Sequence, residues 1–321
     1  MVKKAIDKTE KKRQQWIDRT AELLHVSEET TVHLLQIGRQ QSIRVNTLKT
    51  SMQDVVPQLV SLGWKGQPFT WCPDGLTMEA GLQEIKNSEL SSDGSIYIQN
   101  AASWLPVLAL DPQAGEAILD ICAAPGGKTS HIAALSNNEA YITANDNSRP
   151  RLAKLQSNLN RLGVQGIDYT LFDATQLSYK LEGRQFDKIL LDAPCSGEGM
   201  MTLDSNKDFA SWSVAHIKRL QQLQRKLIVQ AWHLLKPGGT LVYSTCTMAP
   251  EENEAVVDYL LRHNQDAQVR QLNFSLGNRV AAVSEWNGRQ FDDQLKFSMR
   301  LVPSPEIEAF FVCKLTKKVD L

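Results

Sequence analysis

The sequence predicts an α/β fold built on a parallel, doubly wound sheet with helices on both faces. Short strand-like runs alternate with helix-length segments from residue 96 onward, and this alternation is typical of that class. The chain has 321 residues, of which 42% are hydrophobic, and this is enough for a substantial core. Its length suggests about two domains.

Composition narrows the possible functions. The 35 Lys and Arg residues balance 36 Asp and Glu residues, so the net charge of −1 excludes a globally basic nucleic-acid binder but permits a local basic patch. No apolar run approaches the roughly 18 residues that span a bilayer, and no apolar stretch follows the basic N-terminus as in a secretory signal.

The five cysteines argue against disulfides or a metal site and for a reducing, cytoplasmic compartment, because they are odd in number and form no CxxC pair. They are Cys72, Cys122, Cys195, Cys246 and Cys313.

Residues 1–40 form a predicted helical segment. Its basic opening is typical of a solvated helix face and less often of an RNA-phosphate contact. The basic residues are Lys3, Lys4, Lys8, Lys11, Lys12 and Arg13. A second helix is predicted from Ser27 or Glu28 to about Gly38.

Residues 41–95 form a predicted small α+β domain. Its expected elements are a strand over 42–48, a helix over 51–62 and short strands over 68–80 around a turn at Pro73-Asp74-Gly75. Pro57 is expected in the first turn of the helix or at a kink. Because this block is too small for a large core, we expect it to pack on the domain that follows.

Residues 96–321 form the predicted doubly wound domain. Its expected strands cover 96–99, 117–121, 141–144, 169–172, 188–191, 240–244 and 309–315. Its expected helices cover 101–110, 127–134, 150–162, 214–235 and 251–263.

The segment DICAAPGGKT, residues 120–129, is the first candidate site. It joins a predicted strand to a predicted helix, and ligands of open α/β sheets bind at the carboxyl ends of strands. Small residues let a ligand approach the backbone, and the helix N-terminus offers unpaired N–H groups. The segment matches neither GxGxxG nor the Walker P-loop; taken alone, it also fits a tight turn without a ligand. The candidate binding residues are Cys122, Ala123, Ala124, Pro125, Gly126, Gly127 and Lys128.

Three aspartates end successive predicted strands. Asp146 is placed to hydrogen-bond ribose hydroxyls, Asp173 to accept from an adenine amine, and Asp192 ends the next strand. Any one of them alone is more often a cap or turn residue. Together with the small-residue segment they predict a nucleoside site, and the missing phosphate signature favours S-adenosylmethionine.

Cys195 and Cys246 each follow a predicted strand on the ligand side of the sheet. A free cysteine is usually a buried hydrophobe, but both lie among small or polar residues. A helix expected near Glu251 would lower a thiol pKa, whereas the acidic residues that open it would oppose this effect.

A thiolate beside a methyl donor suggests one reaction. Attack of a thiolate on C6 of cytosine makes C5 nucleophilic enough to take a methyl group, after which a base removes the C5 proton and the thiolate leaves. The cytosine must be unpaired or leave its stack. Asp192 is placed to hydrogen-bond its N3/N4 edge.

The segments DICAAPGGKT, DAPCSGEG and YSTCT…EENE resemble motifs I, IV and VI of the Nol1/Nop2/Sun-type RNA cytosine-C5 methyltransferases, in the right order and spacing. SIRVNTLK and SMRLVPSPEIEAFFVCKL resemble further family motifs, so the resemblance covers roughly residues 40–318. It is nearest to the bacterial enzymes that methylate 16S ribosomal RNA. It implies a Rossmann-like class I methyltransferase domain, preceded by the small α+β domain and the helical segment.

The resemblance also implies residue roles. Cys246 would attack C6, and Cys195 would be the second cysteine that resolves the adduct. S-adenosylmethionine would be held by residues 122–128 with Asp146, Asp173 and Asp192. DNA cytosine methyltransferases take their nucleophile from a Pro-Cys motif like Pro194-Cys195, so the residues alone leave the assignment open; the second motif, Thr245-Cys246, decides it for the RNA family.

Two groups of residues are candidates for contact with RNA. Arg44, Asn46 and Lys49 are candidate RNA contacts, although the first two equally fit a brace between the domains. A second candidate patch is formed by Lys218, Arg219, Arg225 and Lys226, and the usual basic pair after Gly199 is replaced by Met200-Met201. We expect a monomer that acts on 16S ribosomal RNA, with transfer RNA or a non-catalytic ribosome-assembly role as alternatives.

Overall fold

Two helices, α1 (Val2–Leu24) and α2 (Glu28–Leu35), open the computed structural model, which describes residues 2–319 and the side chains from residue 8 onward. The Ser27 hydroxyl caps α2 by accepting a hydrogen bond from the Thr30 backbone N–H at 3.2 Å. The helix therefore begins where the sequence predicts, but it ends at Leu35, before the expected stop near Gly38.

The structure describes the side chains of only part of the predicted basic N-terminus. The side chains of Lys3 and Lys4 lie outside the described part of the chain. Lys12 donates to the backbone carbonyls of Phe209 and Ala210 at 2.8 and 3.0 Å. This ammonium group therefore holds α1 against the rest of the fold.

A four-stranded antiparallel sheet follows, in the order β2-β3-β1-β4. Its strands are β1 (Ser42–Val45), β2 (Pro68–Phe69), β3 (Cys72–Thr77) and β4 (Ile96–Gln99), and its helices are α3 (Met52–Ser61), α4 (Leu82–Lys86) and α5 (Glu89–Ser92). Pro57 lies inside α3.

Two expectations for this region are wrong. The hairpin turn lies at residues 70–71, because Pro73-Asp74-Gly75 belongs to β3. A Cβ atom on Gly75 would lie 2.5 Å from the Trp104 ring, so this glycine serves close packing. The boundary expected after residue 95 falls too early, since β4 pairs with β1 along its whole length.

Arg44 and Asn46 connect the small sheet to the large domain. Both are buried. Arg44 donates to the Ser130 hydroxyl at 2.7 Å, and the Asn46 amide donates to the carbonyls of Gly94 and Leu162, each at 2.8 Å. The expected RNA contact is therefore wrong for these two residues, and the bracing alternative is correct. Lys49 is exposed.

The large sheet has the order β11-β14-β15-β9-β8-β5-β6-β7, and β10 adds to β15. Its strands are β5 (Ala117–Asp120), β6 (Tyr141–Asn145), β7 (Asp168–Thr170), β8 (Phe186–Asp192), β9 (Leu235–Thr245), β10 (Ala267–Arg270), β11 (Arg279–Val280), β14 (Met299–Leu301) and β15 (Phe310–Lys317). Strands β12 (Glu285–Trp286) and β13 (Arg289–Gln290) form a separate hairpin. Strands β5 to β9 pair in parallel, whereas β15 returns antiparallel to β9. The predicted doubly wound class is confirmed, but the sheet is mixed.

Helices cover both faces of this sheet. They are α6 (Leu105–Leu110), α7 (Gly127–Leu135), α8 (Arg149–Arg161), α9 (Leu177–Lys180), α10 (Asn206–Ser211), α11 (Val214–Leu234) and α12 (Glu254–His263). Ile118 and Leu119 of β5 pack into two different apolar clusters, one around α6, α7 and α8 and the other around α11, α12 and α1. No described helix is long and apolar enough to cross a membrane.

We expect Asn46→Ala to destabilise the protein by about 1–3 kcal/mol, because it leaves two buried carbonyl groups without donors. Urea unfolding measures this change. The control is Asn160→Ala, which alters an exposed residue of α8 and should stay within about 0.5 kcal/mol of the parent. Equal stability of the two variants would contradict the bracing role.

Candidate active site

The carboxyl ends of β5, β8 and β9 meet at one edge of the large sheet, because these strands run parallel. A pocket of about 210 Å³ opens there, beside the small sheet. Its lining residues are Tyr97, Ile98, Gln99, Ser103, Asp120, Cys122, Ala123, Ala124, Pro125, Gly127, Lys128 and Asp192. The predicted segment 122–128 therefore forms one wall of a cavity at the expected edge.

Two glycines shape the turn between β5 and α7. Gly126 has a φ of +107°, a backbone conformation that L side chains rarely adopt. At Gly127, a Cβ atom would lie 2.7 Å from the Gln99 side-chain oxygen and would narrow the pocket. The residue before α7, Gly126, provides no side-chain cap for the first turn of the helix, which leaves its backbone N–H groups available at the pocket wall.

Asp120 lies at the base of the pocket and is 1% exposed. Its carboxylate accepts a hydrogen bond from the Thr129 hydroxyl at 2.7 Å. Burial nevertheless dominates and raises the pKa of Asp120 to about 7. The side chain therefore anchors the start of α7 to the end of β5.

Lys128 and Asp192 form an ion pair across the pocket. The Lys128 ammonium lies 2.6 Å from one Asp192 oxygen, and the other oxygen accepts from the Ser244 hydroxyl at 2.7 Å. Burial disfavours the ammonium, but the adjacent Asp192 charge outweighs this penalty and the pKa of Lys128 is raised. Lys128 is therefore a fixed cation in the site.

The other two predicted carboxylates do not line this pocket. Asp146 is buried at the end of β6, where it pairs with Arg151 at 3.2 Å and caps the Ser148 backbone N–H at 3.0 Å. Asp173 is exposed three residues beyond β7. Hydrogen bonds from the backbone and hydroxyl of Thr175 lower the pKa of Asp173.

The two predicted cysteines meet next to Asp192. The Sγ atoms of Cys195 and Cys246 lie 3.2 Å apart, although the residues are 51 positions apart in the chain. The contact with Cys246 and burial raise the pKa of Cys195 well above its usual range. Cys195 is therefore held as a thiol in contact with the sulfur of Cys246.

Close backbone packing holds together the loops that carry Cys195 and Cys246, the two cysteine loops. The Gly199 N–H donates to the Cys246 carbonyl at 2.8 Å. A Cβ atom on Gly199 would lie 2.1 Å from the Ala309 carbonyl oxygen and 2.8 Å from the Cys246 carbonyl oxygen. Glycine at this position lets three chain segments converge on the thiols.

The acidic residues after Cys246 each have a partner. The expected helix start near Glu251 is wrong, since α12 begins at Glu254 and residues 247–253 form a loop. Arg19 pairs with both oxygens of Glu251 at 2.9 Å, and buried Arg300 pairs with Glu254. The Glu252 carboxylate accepts from the Ser196 N–H at 3.0 Å, and burial raises its pKa to about 7.

Comparison with known proteins supports the resemblance seen in the sequence. The model of the family described as "16S rRNA methyltransferase RsmB/F" matches residues 107–316, which contain the segment 122–128 and both cysteines. The chain belongs to this family. The family prediction made from the three motifs is thereby confirmed.

Curated relatives and a solved structure agree with this assignment. "Ribosomal RNA small subunit methyltransferase F" of Cronobacter sakazakii is 39% identical over 288 residues, 88% of this chain and 58% of its own length. The protein of the same name from Aeromonas salmonicida is 41% identical over 76% of this chain and 52% of its own length. The chain thus spans only about half the length of these relatives. The crystal structure of a methyltransferase homolog from Pyrococcus horikoshii superposes with a TM-score of 0.77 at 34% identity, covering 94% of this chain and 98% of that one.

Sequence reasoning missed several buried charged groups of this RsmB/F family member. The sequence places Glu252 and Glu254 at a predicted helix start, and it gives no role to Arg300 or Glu308. No local pattern marks these residues as buried, because their partners lie far away in the chain: Arg300 pairs with Glu254, 46 positions earlier.

We expect Gly199→Ala to lower stability by about 1–3 kcal/mol and to displace the cysteine loops, because the new methyl group overlaps two backbone carbonyls. Thermal unfolding reports the stability, and the rate of thiol labelling reports the loops. Gly277→Ala is the matched control, since a Cβ atom there meets nothing within 4 Å. Similar unfolding and labelling of both variants would argue against the packing role.

The raised pKa of Asp120 predicts a pH-dependent stability. The folded state holds this proton up to about pH 7. The unfolded chain releases it near pH 3.9. The contribution of Asp120 to stability is therefore complete below about pH 4 and decreases as the pH rises to 7, by up to about 1.4 kcal/mol per pH unit. Asp120→Asn should flatten this slope in urea unfolding, whereas the exposed Glu182→Gln should not. An unchanged slope in Asp120→Asn would refute the assignment.

Proposed function

We propose that this chain transfers a methyl group from S-adenosylmethionine to C5 of a cytosine in structured RNA. The observation that carries the proposal is the pair of thiols 3.2 Å apart beside the Lys128–Asp192 ion pair. A thiolate that attacks C6 of cytosine and a thiol that assists its later release are two of the groups that this reaction needs.

The pocket fits the sulfonium end of S-adenosylmethionine. Its wall of small residues and the uncapped start of α7 allow close backbone contact with a ligand, and the Asp192 carboxylate supplies negative charge. We assign residues 122–128 and Asp192 to the donor, with Asp146 and Asp173 further along the same sheet edge for its nucleoside. S-adenosylmethionine, when bound, supplies the electrophilic methyl group.

The protein's own groups then have distinct tasks. Cys246 adds to C6 of the cytosine, which places electron density on C5. The Cys195 thiol donates to the Cys246 sulfur and favours its later departure as a thiolate. Lys128 stabilises negative charge that develops near Asp192 and Cys246.

The substrate that we propose is 16S ribosomal RNA of the small subunit, and hence a site of action in the cytoplasm. The names of the relatives support this choice, as does the match to a family of 16S rRNA methyltransferases. We further propose that residues 1–40 and the small sheet contact RNA through exposed groups such as Lys49, while the larger domain carries the chemistry as a monomer without metal.

Substitution of the two cysteines separates their roles. Cys246→Ala should lose methyl transfer by at least about 10³-fold and form no adduct, while binding of S-adenosylmethionine persists. Cys195→Ala should accumulate a covalent protein–RNA adduct, which denaturing gels detect by its shifted mobility. Cys72→Ala removes a buried thiol outside the site and should methylate normally. Methylation by Cys246→Ala would refute the nucleophile assignment.

Bisulfite sequencing of total RNA from cells with and without the gene identifies the target. Loss of one 5-methylcytosine from 16S ribosomal RNA is the expected result. Loss from transfer RNA instead would keep the chemistry and overturn the substrate. No lost signal, together with normal binding of ribosomal RNA, would favour a non-catalytic assembly role.

A further inference from the structure

We propose that Glu308 is the catalytic base that removes the C5 proton from the methylated cytosine adduct. This inference rests on the proposed function and adds the one group that the reaction requires and that the two cysteines do not supply. It assigns a catalytic task to a carboxylate outside the three motifs that define the site.

The path of the chain places Glu308 at the reacting edge. β15 runs antiparallel to β9 with Phe311 opposite Thr245, so the residues just before β15 lie beside Cys246. The Ala309 and Cys246 carbonyls converge on Gly199. The Phe310 ring lies 5.8 Å from the Lys128 ammonium. Glu308 therefore lies next to the chain segment that carries Cys246, and its charge interacts with the charges of Lys128 and Asp192.

The side chain of Glu308 is largely buried and has no hydrogen-bond partner among the described residues. The residue is 8% exposed, and within residues 8–319 no donor forms a hydrogen bond to its side chain. Its carboxylate therefore has lone pairs free to accept a proton, and burial of most of the side chain disfavours its charged form. The groups that act on its charge are Lys128 and Arg39, which favour the anion, and Asp192, which opposes it.

The neighbouring groups are less suited to accept a proton. Both Asp192 oxygens already accept hydrogen bonds, from Lys128 and Ser244. Cys195 is held as a thiol by Cys246 and by burial. Asp120 is enclosed and bonded to Thr129. Burial raises the pKa of Glu308 to about 7, which suits a base that must take and then release a proton near neutral pH.

The step balances with these groups alone. After methyl transfer, C5 carries both the methyl group and its original hydrogen, and C6 carries the Cys246 sulfur. The Glu308 carboxylate takes the proton, the C5–H electron pair forms the C5–C6 double bond, and the C6–S bond breaks with its electrons on sulfur. Cys195 donates to the leaving sulfur, and Glu308 later passes its proton to water.

Glu308→Gln tests this role, because it keeps the shape of the side chain and removes its basicity. With 16S ribosomal RNA from cells that lack the gene, we expect turnover to fall by about 10²–10⁴-fold while a methylated covalent adduct accumulates. In Glu308→Ala, added formate should restore part of the turnover, since it can occupy the vacated space as a base. Glu306→Gln, which removes a carboxylate two residues earlier, is the matched control and should turn over normally.

The outcomes separate this inference from the function on which it rests. Turnover of Glu308→Gln within a few-fold of the parent, loss of its adduct in a protein that unfolds normally, or failure of formate in a folded Glu308→Ala would each overturn the base assignment. An adduct in Cys195→Ala under the same conditions would show that the proposed function survives. Absence of both methylation by the parent and adduct in Cys195→Ala would overturn the proposed function and this inference together.

Discussion

The parallel pairing of β8 with β9 is the constraint on which the candidate site depends. Its register places Asp192 opposite Ser244, so the loops that follow leave the sheet side by side. Cys195 and Cys246 then meet with their Sγ atoms 3.2 Å apart, and Lys128 completes the group from the neighbouring strand–helix turn. A slip of one residue in this register would turn the side chains to the opposite face and separate these groups.

Buried charges hold the loops in this arrangement. The Arg300–Glu254 pair joins β14 to the start of α12, and Arg300 also donates to the Met248 carbonyl at 2.6 Å, within the loop after Cys246. Removal of one partner from a buried ion pair lowers the stability of the fold by about 3–5 kcal/mol, because it leaves an uncompensated buried charge. The antiparallel return of β15 has a similar effect, because it brings the Ala309 carbonyl against Gly199, beside the Cys246 carbonyl.

The small sheet contributes to the same site from the other side. Its last strand, β4, supplies Tyr97, Ile98 and Gln99 to the pocket. Arg44 and Asn46 attach this sheet to α7 and to the end of α8 by buried hydrogen bonds. The pocket therefore lies between the small sheet and the large domain, and its width depends on the buried hydrogen bonds of Arg44 and Asn46.

The sequence by itself determined the doubly wound class, the order of the main helices and strands, the family, and the segments that carry the cysteines and the pocket wall. These follow from local patterns: apolar periodicity, glycine and serine at element ends, and motifs whose residues are adjacent in the chain. Only the tertiary structure decided that Arg44 and Asn46 are buried braces, that Asp146 is enclosed, that β15 returns antiparallel and that Glu308 is largely buried. Each of these depends on contacts between residues far apart in sequence, whose burial and partners no local pattern records.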